Sequence, residues 1–428
     1  MKKGMCMILT ILMAGSIAAC GNSKEDGGQE GTKKGSGDEK TKITFALWDE
    51  VQKPVFDEIV EKFEAENTDI DVEVQLTPWS QYWTKLDAAM GSDSAADVFW
   101  MNTYLPKYAE AGVLEPLDEY IEQDKIDMED YVSVVKNAYN YKDVQYCMPK
   151  GMDTVQVFYN KSIFEKYNVE EPKAGWTWED MKELAGQLKR GIENEGSDEY
   201  PILMELDPQP SFFNFISQSG GYILSDDGKQ AGFEKPASVK AYTDIVELIE
   251  EGLMPGSEVL SDTKGTDLFL SQKGAILFMG SWKTAVIDEV SFAAQVGTIA
   301  MPAKEKGNQS VIGGLGYAVN SRSKNKDAAW KLVKYLSGEE SNRMQAEARA
   351  DVPALIRAQK YYKAEHIDVD VIFDVADTGF AFPTSSSVAE WLPAVNEISA
   401  KIFAGELTPE EGCKEMQKVT QNALDNES

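Results

Sequence analysis

Histidine is almost missing from this chain: there is one, His366, in 428 residues. A single imidazole excludes HExxH zinc sites, which need two, and His366, beside Glu365 and Asp368 in a polar helical stretch, for practical purposes rules out a Ser-His-Asp triad. Cysteine is scarce too, with four residues (Cys6, Cys20, Cys147, Cys413), none spaced as CxxC for a metal. Positive charge is in deficit, since 42 Lys and Arg stand against 72 Asp and Glu, a formal net charge of −30. A field of that sign repels phosphate backbones and argues against nucleic acid as a partner. No GxSxG elbow, GxxxxGK[ST] loop or strand-linked GxGxxG occurs, so no cofactor is implied. Carboxylates are abundant, and a glycosidase pair stays open on sequence alone, although nothing singles one out. Long apolar runs are absent as well. The one near Met7 to Met13 is shorter than the roughly 20 residues that span a bilayer.

What is present begins with that short run. Met1-Lys2-Lys3 precede it, and small residues lead on to Ile17-Ala18-Ala19-Cys20. Residues 1–19 therefore have the pattern of an export signal. A cysteine directly after two alanines resembles the lipobox of bacterial lipoproteins. The resemblance implies lipidation of Cys20 and an extracytoplasmic body anchored to the outer face of the cell membrane. An ordinary signal peptide with an incidental cysteine is the alternative. Residues 20–42 hold no aliphatic or aromatic side chain after Cys20, which predicts a flexible leash.

The body from Ile43 onward is long enough for two domains, and 43% hydrophobic content supplies material for two cores. Ile43 to Leu47, Ile70 to Leu76 and Asp97 to Trp100 read as strands, separated by helical patterns around Val55 to Phe63 and Trp79 to Met90. That alternation argues an α/β fold with a largely parallel sheet, in which ligands bind beyond the carboxyl ends of strands. Further strands are expected at Thr154 to Tyr159, Gly274 to Met279, Gln295 to Pro302 and Gly316 to Asn320. Helices are expected at Ser238 to Glu251, Asp327 to Leu336 and through most of the chain after Ser387. Cys147 and Cys413 lie far apart. A disulfide is open to them in an oxidising compartment, though each local pattern suits a buried free thiol.

With ITFALW, ADVFWMN, KYAEAGVLEPLDEYI, GMDTVQVFYNKSIFEKY, WTWEDMKELA, SGGYIL, KGAILFMGSW, GTIAMP and GGLGYAVNSRSKNKDAAWKLVKYLS in this order, the body resembles the extracellular solute-binding proteins of the sugar-binding class. The resemblance implies a two-lobe periplasmic-binding-protein fold of type II, with ligand held in the interlobe cleft. It places one lobe at 43–150 plus 316–352 and the other at 151–315 plus 353–428. It further implies a carbohydrate ligand, an oligosaccharide by the number of aromatic candidates, delivered to the transmembrane subunits of an ATP-driven permease by a monomeric receptor that is not an enzyme. A polyamine, a glycerol phosphate or a glycan-acting enzyme are the competing readings.

Sugars present hydroxyl rims that need directional hydrogen bonds and C–H faces that pack on aromatic rings. Trp282, ending a strand after Gly280-Ser281, is the leading platform, with a core tryptophan as the alternative. Trp48, Trp100 and Trp391 are further candidates and carry the same alternative. Trp83, Trp176, Trp178 and Trp330 read as packing residues. Asp153 matches a cleft carboxylate of the resembled family. Asp49 and Asn102 follow strands. Gln209 and Phe212 match a second-lobe loop that touches sugar, with Gln where the family example has a carboxylate, so maltose is not assumed. Gly314, with Gly313, offers close backbone approach or a hinge turn. Gln81 and Tyr82 open a helix toward the cleft. Arg349 and Asp351 belong to hinge or cleft.

Overall fold

The computed structural model describes residues 40–92 and 94–427. The expected signal (1–19), Cys20 and the leash up to residue 39 lie outside them. The leash was expected to continue through Lys42, but Thr41 and Lys42 already pair with Ile70 and Asp71. Ile43, Phe45 and Leu47 are buried while their neighbours are not, and this alternation draws the strand back to Thr41.

Thr41–Leu47 lies between Ile70–Leu76 and Val98–Met101, parallel to both. The helix Lys53–Glu66 connects the first two, burying Phe56, Ile59, Val60 and Phe63 along one face. Beyond Val98–Met101 the sheet continues antiparallel, through Val311–Val319, Cys147–Asp153 and Val352–Pro353, with Phe380–Ala381 added on Val311–Val319. The seven-stranded sheet is thus mixed rather than largely parallel. The N-terminal alternation of strand and helix fixes its parallel half, and strands arriving from distant sequence fill the other.

A second sheet of four strands runs Val296–Ile299, Val155–Asn160, Gly274–Gly280, Tyr200–Met204. The helix Trp178–Glu195 packs beside it. Thr177 caps that helix in a reciprocal box with Asp180, and Gly196 ends it in the left-handed conformation. Each sheet has its own core. Phe45, Phe56, Trp100, Tyr317 and Leu332 belong to the first, and Met181, Phe212, Tyr242, Phe278 and Trp391 to the second. The chain leaves the first sheet after Asp153, and Val155 opens a strand of the second. It returns at Val311. After Val352–Pro353, Ala354, Leu355, Ala358 and Tyr362 still pack in the first core. Cys147 and Cys413 are free and buried, one in each core.

Candidate functional site

Two kinds of group gather where the strands end: aromatic rings and uncommitted polar atoms. Trp48 follows Thr41–Leu47 and is partly buried. Its ring lies 4.9 Å from Tyr82, 5.0 Å from Trp100 and 5.2 Å from Trp79, all edge-on. Trp79 is the outermost of the cluster, 51% exposed, and sequence reasoning missed it. The available signal was the Trp79-Ser80-Gln81-Tyr82-Trp83 start of a helix, whose apolar residues exceed one buried face. Gln81 is exposed on the same helix, whereas Tyr82 is buried and donates its hydroxyl to the Trp100 carbonyl at 2.9 Å.

Three expected platforms are corrected. Trp100 is fully buried, covered by Trp48 and Phe56, with the Lys150 ammonium 4.6 Å from its ring centre. Phe212 is fully buried against Phe213 and Tyr242. Trp391 is fully buried, its indole N–H donating to Ser385 Oγ at 3.0 Å. In each case the ring's large apolar area is used in a core, so none offers a free face in this arrangement.

Trp282 differs. It sits in the turn Ser281–Lys283 directly after Gly274–Gly280 and is 38% exposed. Its ring folds back over Gly280, where a Cβ would stand 1.8 Å from the six-membered ring. Glycine is required there for the ring to lie flat on its own strand.

The polar groups follow the sheet register. Asp153 pairs with Gly313, and Val352 pairs with Met152, so Asp351 lies beside Asp153 on the neighbouring strand. Like charges side by side repel. Lys150, buried, answers them by pairing with Asp351, and its Nζ also donates to Gln52 Oε1 at 3.0 Å. Burial, and then Asp351, push the Asp153 carboxyl up to about 7, against the pull of Lys150. Burial likewise raises Asp351, again opposed by Lys150. Among the described residues no hydrogen bond to the Asp153 carboxyl accompanies these effects. Across Gly313, the buried Nε2 of Gln209 has no partner among the described residues. A Cβ on Gly313 would come within 2.4 Å of that nitrogen.

Other expected groups are engaged locally. Asp49 accepts the Val51 N–H at 2.8 Å and the Gln52 side-chain amide at 3.1 Å, which orients Gln52 toward Lys150. Asn102 Oδ1 accepts the Tyr104 N–H at 3.0 Å. The Gly314 carbonyl accepts from Tyr139 at 2.7 Å, and a Cβ there would meet the Gly151 carbonyl at 2.4 Å. Its missing side chain serves strand packing. Trp176 and Trp178 are buried in the second core and Trp330 in the first. A groove of about 660 Å³ on helices of the second core is lined by Trp178, Lys240 and Asp244 and by none of the residues expected to bind ligand. Among the described residues no cluster of His, Cys, Asp or Glu could hold a metal ion.

This arrangement of two α/β bodies with ring faces and free polar groups at the strand ends is that of a solute receptor. Residues 48–343 match the family model described as bacterial extracellular solute-binding protein, and the chain belongs to that family. It is 26% identical over 299 residues to the maltotriose-binding protein of Pyrococcus abyssi, a match covering 68% of this chain and 62% of that relative. It is 25% identical over 371 residues to the galactooligosaccharide-binding protein of Bacillus subtilis, covering 83% of this chain and 81% of the relative. Among solved structures, an ABC substrate-binding protein of Listeria monocytogenes in complex with cycloalternan superposes with a TM-score of 0.82 at 25% identity, covering 91% of this chain and 100% of that one. The fold is the two-lobe α/β architecture of these binding proteins.

Proposed function

We propose that this protein captures a carbohydrate, most simply an oligosaccharide, between its lobes and hands it to the membrane subunits of an ATP-driven importer. The observation that carries the reading is the pair of uncommitted groups flanking Gly313: the Asp153 carboxyl on the first sheet and Gln209 Nε2 on a turn beside the second. A hydroxyl can donate to one and accept from the other at once, which a saturated hydrocarbon or an inorganic anion cannot do. Trp282, and Trp48 with Trp79, add ring faces for the C–H surfaces of sugar rings. Maltotriose, galactooligosaccharides and cycloalternan, for which these relatives and the superposed Listeria complex are named, are all carbohydrates.

The lobes in this proposal are 40–153 with 311–362 and the short strand Phe380–Ala381, and 155–310 with 388–427. Ligand binds the closed arrangement better than the open one and so shifts the population toward it. No bond is made or broken. Lipidated Cys20, following the signal at 1–19, tethers this monomeric receptor to the outer face of the membrane and so confines it there. That confinement raises its effective concentration at a permease in the same membrane.

A thermal-shift panel of maltotriose, a galactooligosaccharide, cycloalternan, spermidine and glycerol 3-phosphate tests the reading. A glycan that binds should stabilise the protein by about 2.7 kcal/mol at a hundredfold excess over Kd and be recovered unchanged. A shift with spermidine or glycerol phosphate alone, or conversion of a glycan to products, overturns it.

A further inference from the structure

The helix Glu339–Glu347 ends in an unusual way. The Arg349 N–H bonds to the Ala346 carbonyl and the Ala350 N–H to the Gln345 carbonyl, each at 2.9 Å, and Arg349 has φ 54°. This is the Schellman closure, whose left-handed position is normally glycine. A side chain with Cβ is disfavoured there by roughly 1–2 kcal/mol, so by backbone geometry alone glycine would suit this position better than arginine.

Its guanidinium reaches across from the first core. Nη1 bonds to Asp288 Oδ2 at 3.1 Å and Nη2 to Glu289 Oε1 at 2.9 Å. Asp288 is a fixed node: its carboxylate also accepts the backbone N–H groups of Glu365, His366 and Ile367 at 2.8, 2.8 and 3.1 Å. It closes the helix Thr284–Asp288, which follows directly on the turn that carries Trp282. Ile287 and Ile367, on either side of this node, pack together against Phe158, Leu203 and Leu277 of the second sheet. At the other end, Asp351 lies two residues beyond Arg349. The bridge thus connects the element bearing the exposed indole to the strand bearing the carboxyl pair, and does so across the two lobes.

We infer that Arg349 is a positioning residue: its two-armed bridge to Asp288 and Glu289 holds the lobes near each other and sets the spacing between Trp282 and the Asp153–Asp351 pair. The inference rests on the proposed site for its consequence in binding, while the bridge itself can be tested without ligand.

Small-angle scattering of ligand-free protein compares wild type with Arg349→Gly, Arg349→Met, Arg349→Lys and Asp288→Asn. Arg349→Gly relieves the backbone strain and keeps the helix end, so a purely local role predicts an unchanged radius of gyration and an equal or higher Tm. The bridge predicts a larger radius of gyration for Gly, Met and Asn variants and an intermediate one for Lys, which keeps the charge but not the fork. Wild type should expand in 1 M NaCl, and Arg349→Met should not respond to salt. Identical curves for wild type and Arg349→Gly at both salt concentrations would overturn the inference. Maltotriose dissociation, followed by stopped-flow, should be about tenfold faster from Arg349→Gly, or 1.4 kcal/mol. If wild type binds no glycan while the scattering difference persists, the sugar reading fails and the bridge stands; if glycans bind and the curves coincide, the reverse holds.

Discussion

At the strand ends of the first lobe, Trp48, Trp79, Tyr82, Trp83, Trp100 and Tyr104 crowd into one cluster with centroid separations near 5–6 Å. In the second lobe Trp282 stands alone on Gly280. The crowded region holds more aromatic residues and offers proportionately fewer faces, because each ring in a cluster is covered by the next. The lone tryptophan remains 38% exposed while its ring rests over Gly280 of its own strand. Aromatic count therefore measures core in the first lobe, and local backbone geometry decides the exposure of the ring in the second.

Substitutions can break this contrast. The largest effect is expected from Trp100→Ala, which empties a fully buried site: chemical denaturation should show a loss of about 3–5 kcal/mol in stability. A loss below 1 kcal/mol would mean the ring is not part of the core. Trp282→Ala should do the opposite, leaving stability nearly unchanged and weakening glycan binding by about 2 kcal/mol, as removal of a central aromatic anchor does. Isothermal titration beside a melting curve separates the two, and unchanged affinity would displace the platform from Trp282.

The carboxyl pair gives a pH signature. Folded Asp153 keeps its proton up to about pH 7, where an ordinary aspartate has lost it near 3.8. Between those values the folded state binds more protons than the unfolded chain, so stability contributed here is full at low pH and declines as pH rises toward 7. Glu199 and Asp288 are lowered instead, so their contribution is lost only as pH falls below the ordinary carboxylate range. Tm should therefore fall from pH 5 to pH 8 in wild type, and Asp153→Asn should flatten that slope. A wild-type Tm that rises across the interval would refute the assignment. The smallest effect is expected from Trp79→Ala, where an exposed edge-on ring contributes about 0.5–1.5 kcal/mol to binding. An affinity loss matching that of Trp282→Ala would show that the two lobes contribute equally.

Much of the fold was legible because its signals are local. The alternation in Ile43 to Leu47, the helical spacing of Phe56, Ile59, Val60 and Phe63, and the capping residues around Thr177 and Gly196 each lie within a few turns of chain. The site was legible only in part. The family's motifs pointed to Asp153 and Gln209, which carry the proposed site, and also to Trp100, Phe212 and Trp391, whose rings are covered; motifs fix a position on an element and not what covers the side chain. Trp79 was missed because periodicity marks it as one more apolar residue of an amphipathic helix. Arg349 was noticed without a role, since Asp288 lies 61 residues away and the glycine-type conformation of its backbone leaves no mark in composition.

By itself the sequence determined the α/β class of fold, the resemblance to the family and the lack of any HExxH pair, all of which follow from residue types and short-range order. Only the tertiary structure decided which tryptophan is a surface and which is a core, that Lys150 stands against two aspartates, and that Arg349 reaches the other lobe. These depend on which atoms come within a few ångströms after the chain has crossed between its sheets, and burial and charge pairing act only at that range.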